Sequence, residues 1–382
     1  MMKLVQLIGV DSFMNAKKSR KLIRIIRRIG IVLAAALVLF VVSTFIHHKL
    51  QTSKELKLLK ENGYYNPVSV GDYSLNVSIF GNENGKHTIV GLAGLGTGDY
   101  SVAARQMTAC LEADNKIVFI DRAGYGLSDD TANEMTLEYI VRDYRKALKN
   151  AGIEGPYILM PHSIGGAYAT YWESNYPEEI EAIVFVDGSE LCADAFNEEP
   201  VKEVTIGAKA LESLAKMGFS RYVLRKYNYH LPENYSDEEQ KLSDAMMLMT
   251  LDSIAPVSES GLIAPNAQAA FNGIVTNDIP KLYICSSIGI QTREELLEYF
   301  EWVSHQIEIN NLNVAKIDTN PSDEYVENYL SMLEQYRNDI IYPYADKLGN
   351  CKVVCLGGDH MIYQQKPEEC GVLIKEFIDT LK

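Results

Sequence analysis

The 382-residue sequence predicts an α/β fold: a mostly parallel central sheet with helices on both faces, a helical cap insertion and one N-terminal transmembrane helix. Three observations carry this reading. Runs such as Lys116–Ile120 (KIVFI), Ala182–Val186 (AIVFV) and Lys352–Leu356 (KVVCL) carry four or five consecutive apolar residues, as strands do when both faces of their sheet are covered. Amphipathic stretches separate those runs, and parallel strands need such crossovers. Residues 29–46, IGIVLAAALVLFVVSTFI, carry no charge over 18 positions; at a helical rise of about 1.5 Å per residue they span roughly 27 Å, the thickness of a bilayer core.

Charge orients the apolar helix. Lys17, Lys18, Arg20, Lys21, Arg24, Arg27 and Arg28 precede it, whereas only His47, His48 and Lys49 follow at once. The positive-inside rule places the basic arm 1–28 in the cytoplasm and everything beyond about residue 50 outside, at the cell membrane. The span exceeds a usual signal-peptide core, and Ser43–His47 offers no small-x-small cleavage site, so a retained anchor is expected. Residues 1–60 hold 12 Lys/Arg and 2 Asp/Glu; the net charge of −15 therefore leaves −25 on the remainder. So acidic a globule speaks against nucleic acid as a partner; the basic arm alone suits phospholipid headgroups.

Along the chain, residues 47–67 read as a charged juxtamembrane stalk ending at Gly63 and Asn66-Pro67, and residues 68–382 as the globular domain. Within it Leu75–Phe80, Thr88–Leu92, Lys116–Ile120, Tyr157–Met160, Ala182–Val186, Lys281–Cys285 and Lys352–Leu356 read as strands. Leu137–Asn150 reads as a helix with Leu137, Ile140, Val141, Tyr144 and Leu148 on one side; Gly165–Asn175 and Cys370–Leu381 are further helices. Two stretches interrupt the alternation: a mostly helical cap at about 190–280, whose Met246–Met249 run reads as packing with the lining of an acyl pocket as the alternative, and a second insertion at about 289–345. The six cysteines (110, 192, 285, 351, 355 and 370) show neither CxxC nor zinc spacing, and free thiols are expected.

The chemistry gathers at Tyr157–Gly166, YILMPHSIGG, where a strand stops in a small-residue turn and gives way to helical sequence. A serine there, Ser163, would be exposed, with a helix N-terminus aimed at the reacting atom. Upstream, Thr88–Gly98 (TIVGLAGLGTG) is a strand running into a glycine-rich loop, and Ile120–Asp129 (IDRAGYGLSD) a strand followed by a loop; downstream lies Gly357–Tyr363 (GGDHMIY). From about Leu75 to the C-terminus, this order of motifs resembles the α/β-hydrolase superfamily. The resemblance implies Ser163 as nucleophile and His360 as base, with the N–H groups of Leu95 and Ile164 as the oxyanion hole. His162 is read as packing or hydrogen-bonding behind the turn.

The sequence departs from the family pattern twice. Pro161 stands two positions before the serine, where the family usually has glycine, and the strand Lys281–Cys285 is followed by Ser286-Ser287-Ile288-Gly289, with no carboxylate. Asp187, at the end of the preceding strand, is the candidate acid; Glu294, Glu295 and Asp318 are the fallbacks. The expected activity is membrane-anchored, extracytoplasmic cleavage of an ester, thioester or amide in a small acyl substrate, with no cofactor and no metal. The alternative is a non-catalytic ligand-binding or sensing protein on the same scaffold with a weakened triad. Oligomeric state is not encoded in any motif.

Overall fold

The computed structural model describes residues 2–192, 205–226, 230–310, 312 and 314–381, with side chains from residue 22 onward except at positions 225 and 226. Eight strands form one sheet: β1 (Pro67–Ser69), β2 (Ser74–Gly81), β3 (Thr88–Leu92), β4 (Lys116–Ile120), β5 (Tyr157–Ser163), β6 (Ile180–Gly188), β7 (Lys281–Cys285) and β8 (Cys351–Cys355). Their spatial order is β1-β2-β4-β3-β5-β6-β7-β8. β1 and β2 pair antiparallel, β2 joins β4 antiparallel, and every pairing from β4 through β8 is parallel. β3 lies between β4 and β5, so the chain leaves it first to one side and later to the other. In open parallel sheets that reversal opens a crevice beyond the strand C-termini, where ligands bind.

The helices follow from local sequence. Thr136 accepts the N–H of Tyr139 and caps α1 (Leu137–Asn150), whose buried side carries Leu137, Ile140, Val141, Tyr144 and Leu148. α2 (Gly165–Asn175) follows β5 directly and buries Trp172 against the ring of Tyr144. Gly165 has no substitute here, because a Cβ would lie 2.6 Å from the Leu92 carbonyl oxygen.

Between β6 and β7 come α3 (Ile206–Leu214), a π-helical turn at Ala215–Phe219, α4 (Ser220–Lys226), α5 (Asp237–Leu251), α6 (Ala255–Ser260) and α7 (Ile263–Asn272). Ser236 and Glu239 close a capping box on α5. The Met246 side chain is buried, as packing requires. Residues 193–204, inside the cap expected at 190–280, lie outside the described residues. Between β7 and β8 come α8 (Arg293–Ile309) and α9 (Asp323–Tyr336), around a small apolar cluster of Ile290, Leu296, Phe300, Val326 and Leu333.

Residues 2–61 form a single helix that runs through the apolar span, and its last turns are packed. Thr44, His48 and Leu59 are buried, and Arg221 from α4 makes a two-pronged ion pair with Glu55 at 2.7 and 2.8 Å. The contact stripe recurs every three or four residues, as helix packing demands. It is largely polar, so its sequence reads as solvated.

Under the sheet, Lys281 Nζ lies 2.6 Å from Glu173 Oε1, and neither side chain reaches solvent. Burial raises the Glu173 pKa, and the lysine beside it opposes that shift. Lys281→Met strands the carboxylate; the expected loss is about 3 kcal/mol, read as a lower midpoint in urea denaturation. An unchanged midpoint would show that the pair contributes no net stability.

Candidate active site

β5 ends on Ser163 with φ of 51°, a left-handed conformation that a non-glycine residue adopts at a cost. The turn lifts the side chain out of the sheet and leaves it half-buried. It is held from behind: Ser163 O accepts the N–H of Ser189 at 2.8 Å. Pro161 pairs in register with Leu92 inside the ladder, one residue before the turn begins. Among the described residues, nothing hydrogen-bonds the Ser163 hydroxyl, so its proton is available to a base.

The glycine-rich loop after β3 runs against this turn. A Cβ on Gly94 would sit 2.8 Å from His162 Nδ1 and 3.0 Å from Ser163 Cβ, so glycine permits the approach. The next N–H, that of Leu95, donates to none of the described groups, and neither does that of Ile164. Two unused donors therefore flank Ser163 on separate segments, as an oxyanion-binding pair must.

His360 lies in the loop after β8, with its side chain 47% exposed. His162 Nε2 meets the His360 carbonyl oxygen at 3.0 Å, and the two imidazole rings are 4.6 Å apart. Because His162 precedes Ser163, this contact fastens the histidine loop to the serine turn. Burial, followed by the charge of His360, pushes the His162 pKa down to about 3, so His162 is neutral.

His360 Nδ1 is 2.7 Å from Asp187 Oδ2. Asp187, the penultimate residue of β6, has φ of 43° and is 3% exposed. Its other oxygen accepts the N–H of Ser286 at 2.6 Å, the first residue after β7. The loop that lacks a carboxylate thus supplies a donor to one. Burial favours neutral His360, but the hydrogen bond and charge of Asp187 outweigh it and raise the pKa above the ordinary value. None of the fallback carboxylates bonds His360: Glu295 lies against Gly357 but caps its own helix by accepting from Gln291 and Thr292, and Glu294 and Asp318 are exposed. A cleft of about 1090 Å³ lies at the starts of β7 and β8, lined by Lys281 and Cys351, and holds none of these residues.

Residues 88–208 match a family model described as the α/β hydrolase fold. The architecture is similar to a crystal structure of DBJA (TM-score 0.50, 14% identity, 83% of this chain and 98% of that one). A probable hydrolytic enzyme from Pseudomonas aeruginosa PAO1 is similar to the same degree (TM-score 0.50, 15% identity, 83% and 94%). The chain has the α/β-hydrolase fold. At these identities the structural likeness speaks for the fold alone. An uncharacterised Bacillus subtilis protein, YbdG, is 38% identical over 164 residues, which are 43% of this chain and 49% of that protein. The match thus spans about half of that relative's length.

One group that sequence reading left without a role organises this α/β-hydrolase site. Arg122, buried after β4, donates to the carbonyls of Ala93 at 2.5 Å and Gly94 at 2.7 Å. It also pairs with the buried Glu259 of α6 at 3.1 Å, and Tyr168 donates to the same carboxylate. Arg122 holds the two residues before Leu95 and ties them to the cap. The signal was present in DRAGYGLSD, but nothing in a linear string shows which carbonyls an arginine reaches.

Gly94→Ala forces a methyl into the serine turn. Overpacking of this kind costs about 1–3 kcal/mol, so the urea midpoint of Gly94→Ala is expected to fall while Gly96→Ala, where no atom lies within 4 Å but φ is 72°, loses only the smaller cost of backbone strain. Equal midpoints for wild type and Gly94→Ala would mean that the loop does not press on the turn.

Proposed function

We propose that the chain is a serine hydrolase that cleaves an ester, thioester or amide through an acyl-enzyme. Ser163 attacks the carbonyl carbon, His360 accepts its proton, and Asp187 holds His360 in the required tautomer and stabilises the imidazolium. The N–H groups of Leu95 and Ile164 receive the developing oxyanion. His360 then protonates the leaving group, and water, deprotonated by the same imidazole, releases the acyl group. The observation that carries the reading is the 2.7 Å contact between His360 Nδ1 and Asp187. With Nδ1 committed to the carboxylate, the imidazole's acceptor is Nε2. The non-catalytic alternative drew on the missing carboxylate after β7 and on the membrane tether; the contact of Asp187 with His360 favours the enzyme.

We further propose that the helix through residues 29–46 anchors the protein in the cell membrane with the hydrolase domain outside. The helix is long and apolar enough to cross a bilayer, and the basic residues precede it.

A membrane-impermeant fluorophosphonate applied to intact cells is expected to label the wild type and not Ser163→Ala. Labelling that requires lysis reverses the orientation and keeps the enzyme. Folded wild type that never labels rules out Ser163 as nucleophile.

Ester turnover should also carry the signature of His360. Its neutral form accepts the proton and its folded pKa is raised, so kcat/KM falls as pH drops through a value above the ordinary 6.5. Asp187→Asn removes the raising partner: the acid limb moves to lower pH and kcat falls by about four decades. A near-wild-type rate would transfer the orienting role to another group.

A further inference from the structure

The cap carries an apolar stripe that faces outward. In α3, Ile206, Ala210, Leu214 and Leu211 share one side of the helix, and that side faces outward: Ile206 is 89% exposed and Leu211 68%. The opposite side carries Lys209, Glu212 and Lys216, and these line a cleft of about 650 Å³ shared with Asp130, Glu134 and Ser258. Lys216 pairs with Glu212 at 2.5 Å and reaches Asp130 at 3.8 Å. A helix on a soluble surface turns its charges to water and its apolar stripe to the core. Here the two lysines stay exposed at the rim of the cleft and only Glu212 is largely covered, while the exposed apolar stripe continues through Met217, Tyr222 and Val223.

The N-terminal helix sets that face beside the apolar span. Phe40, inside the apolar span, packs its ring 6.2 Å from the ring of Phe219 in the π-helical turn, and Phe219 lies 6.2 Å from Tyr222. Gly218 (φ of 96°) makes the approach possible, since a Cβ there would lie 2.8 Å from the Thr44 carbonyl oxygen and 2.7 Å from His48 Cβ. Phe40 is six residues before the end of the span at Ile46, or about 9 Å below it along the helix. Polar contacts begin beyond the span: His48 Nε2 meets Asp252 at 3.1 Å, and Arg221 turns away from its apolar neighbours to Glu55. The change from aromatic to ionic contacts along one docked helix is the profile of a chain leaving hydrocarbon for the headgroup layer.

We propose that the outer face of α3 and the turn after it is seated in the outer lipid leaflet, so that the proposed hydrolase takes its acyl substrate from the bilayer. This rests on the membrane-anchored reading of residues 29–46. The same cap touches the site by its inner side: Glu259 pairs with Arg122, Ser243 donates to Asp99 at 2.6 Å, and Thr250 accepts the N–H of Gly126 at 2.9 Å. The element that covers the strand exits is therefore the element in contact with lipid. The substrate class is an ester or amide of a long-chain, bilayer-resident lipid.

The test places p-benzoylphenylalanine at Leu37, Leu211, Leu214, Val223 or Glu154 in the full chain, reconstituted in phosphatidylcholine vesicles with a radiolabelled acyl chain. Irradiation is expected to attach lipid at 37, 211, 214 and 223 and none at 154, which lies in the loop leading into β5. Lipid at 37 with none at 211 and 214 overturns the proposal and leaves the anchor standing. No lipid at 37 overturns the anchor, and the proposal with it. A product of twice the chain mass at 211 identifies a second copy as the occupant and also overturns it. For the substrate class, Leu211→Asp with Leu214→Asp should lower the ratio of dioleoylglycerol to p-nitrophenyl acetate turnover about tenfold; an unchanged ratio overturns delivery from the bilayer.

Discussion

A parallel sheet sends all of its strands out at one edge, and everything proposed for this protein depends on that constraint. Ser163, Asp187 and His360 are far apart in sequence, yet each stands at or just past the C-terminal end of a strand, on β5, β6 and after β8. Their meeting is set by register. β5 and β6 run side by side with Ser163 opposite Gly188, and β7 and β8 align Cys285 with Cys355, so the loops after β7 and β8 emerge together above Asp187. Ser286 then donates to one carboxylate oxygen while His360 takes the other.

Two strained residues sit at that edge. Ser163 and Asp187 both adopt left-handed backbone conformations, which cost free energy that surrounding contacts must offset. The contacts are visible: Ser189 N to Ser163 O behind the serine, and Ser286 N to the Asp187 carboxylate. Buried polar groups brace the shell around them. Arg122 joins the glycine-rich loop to Glu259 of the cap, and Asp121, its neighbour, accepts from Leu127 and Asn76 while burial lifts its pKa to about 7. The cap is thus tied to the loops that line the site by buried charges.

Most of the strands were legible because their sequences are extreme: four or five consecutive apolar residues between turn signals have few other places to go. The turn at Ser163 was legible because glycine and serine punctuate it, and His360 because it follows two glycines after an apolar strand. The acid was harder. An aspartate at a strand end is common, and nothing near position 187 in the chain shows that a histidine 173 residues later will reach it. The role of Arg122 and the docking of the N-terminal helix were hidden for a related reason. Both depend on polar side chains that read as solvated until their partners are known, as His48, Glu55 and Arg221 show.

The sequence by itself determined the local structure: which segments are strands, where the turns fall, where one helix is apolar enough to cross a bilayer, and which serine sits in a sharp turn. These follow from short-range physics, from periodicity, turn chemistry and helix propensity, all of which act within a dozen residues. Tertiary structure decided what those residues face. Asp187 became the partner of His360 because the parallel register places their strand ends together, and the charged segment after residue 46 became a docking helix because Arg221 and Asp252 lie opposite it. Such pairings are set by distance in space, and a chain carries that information only once it has folded.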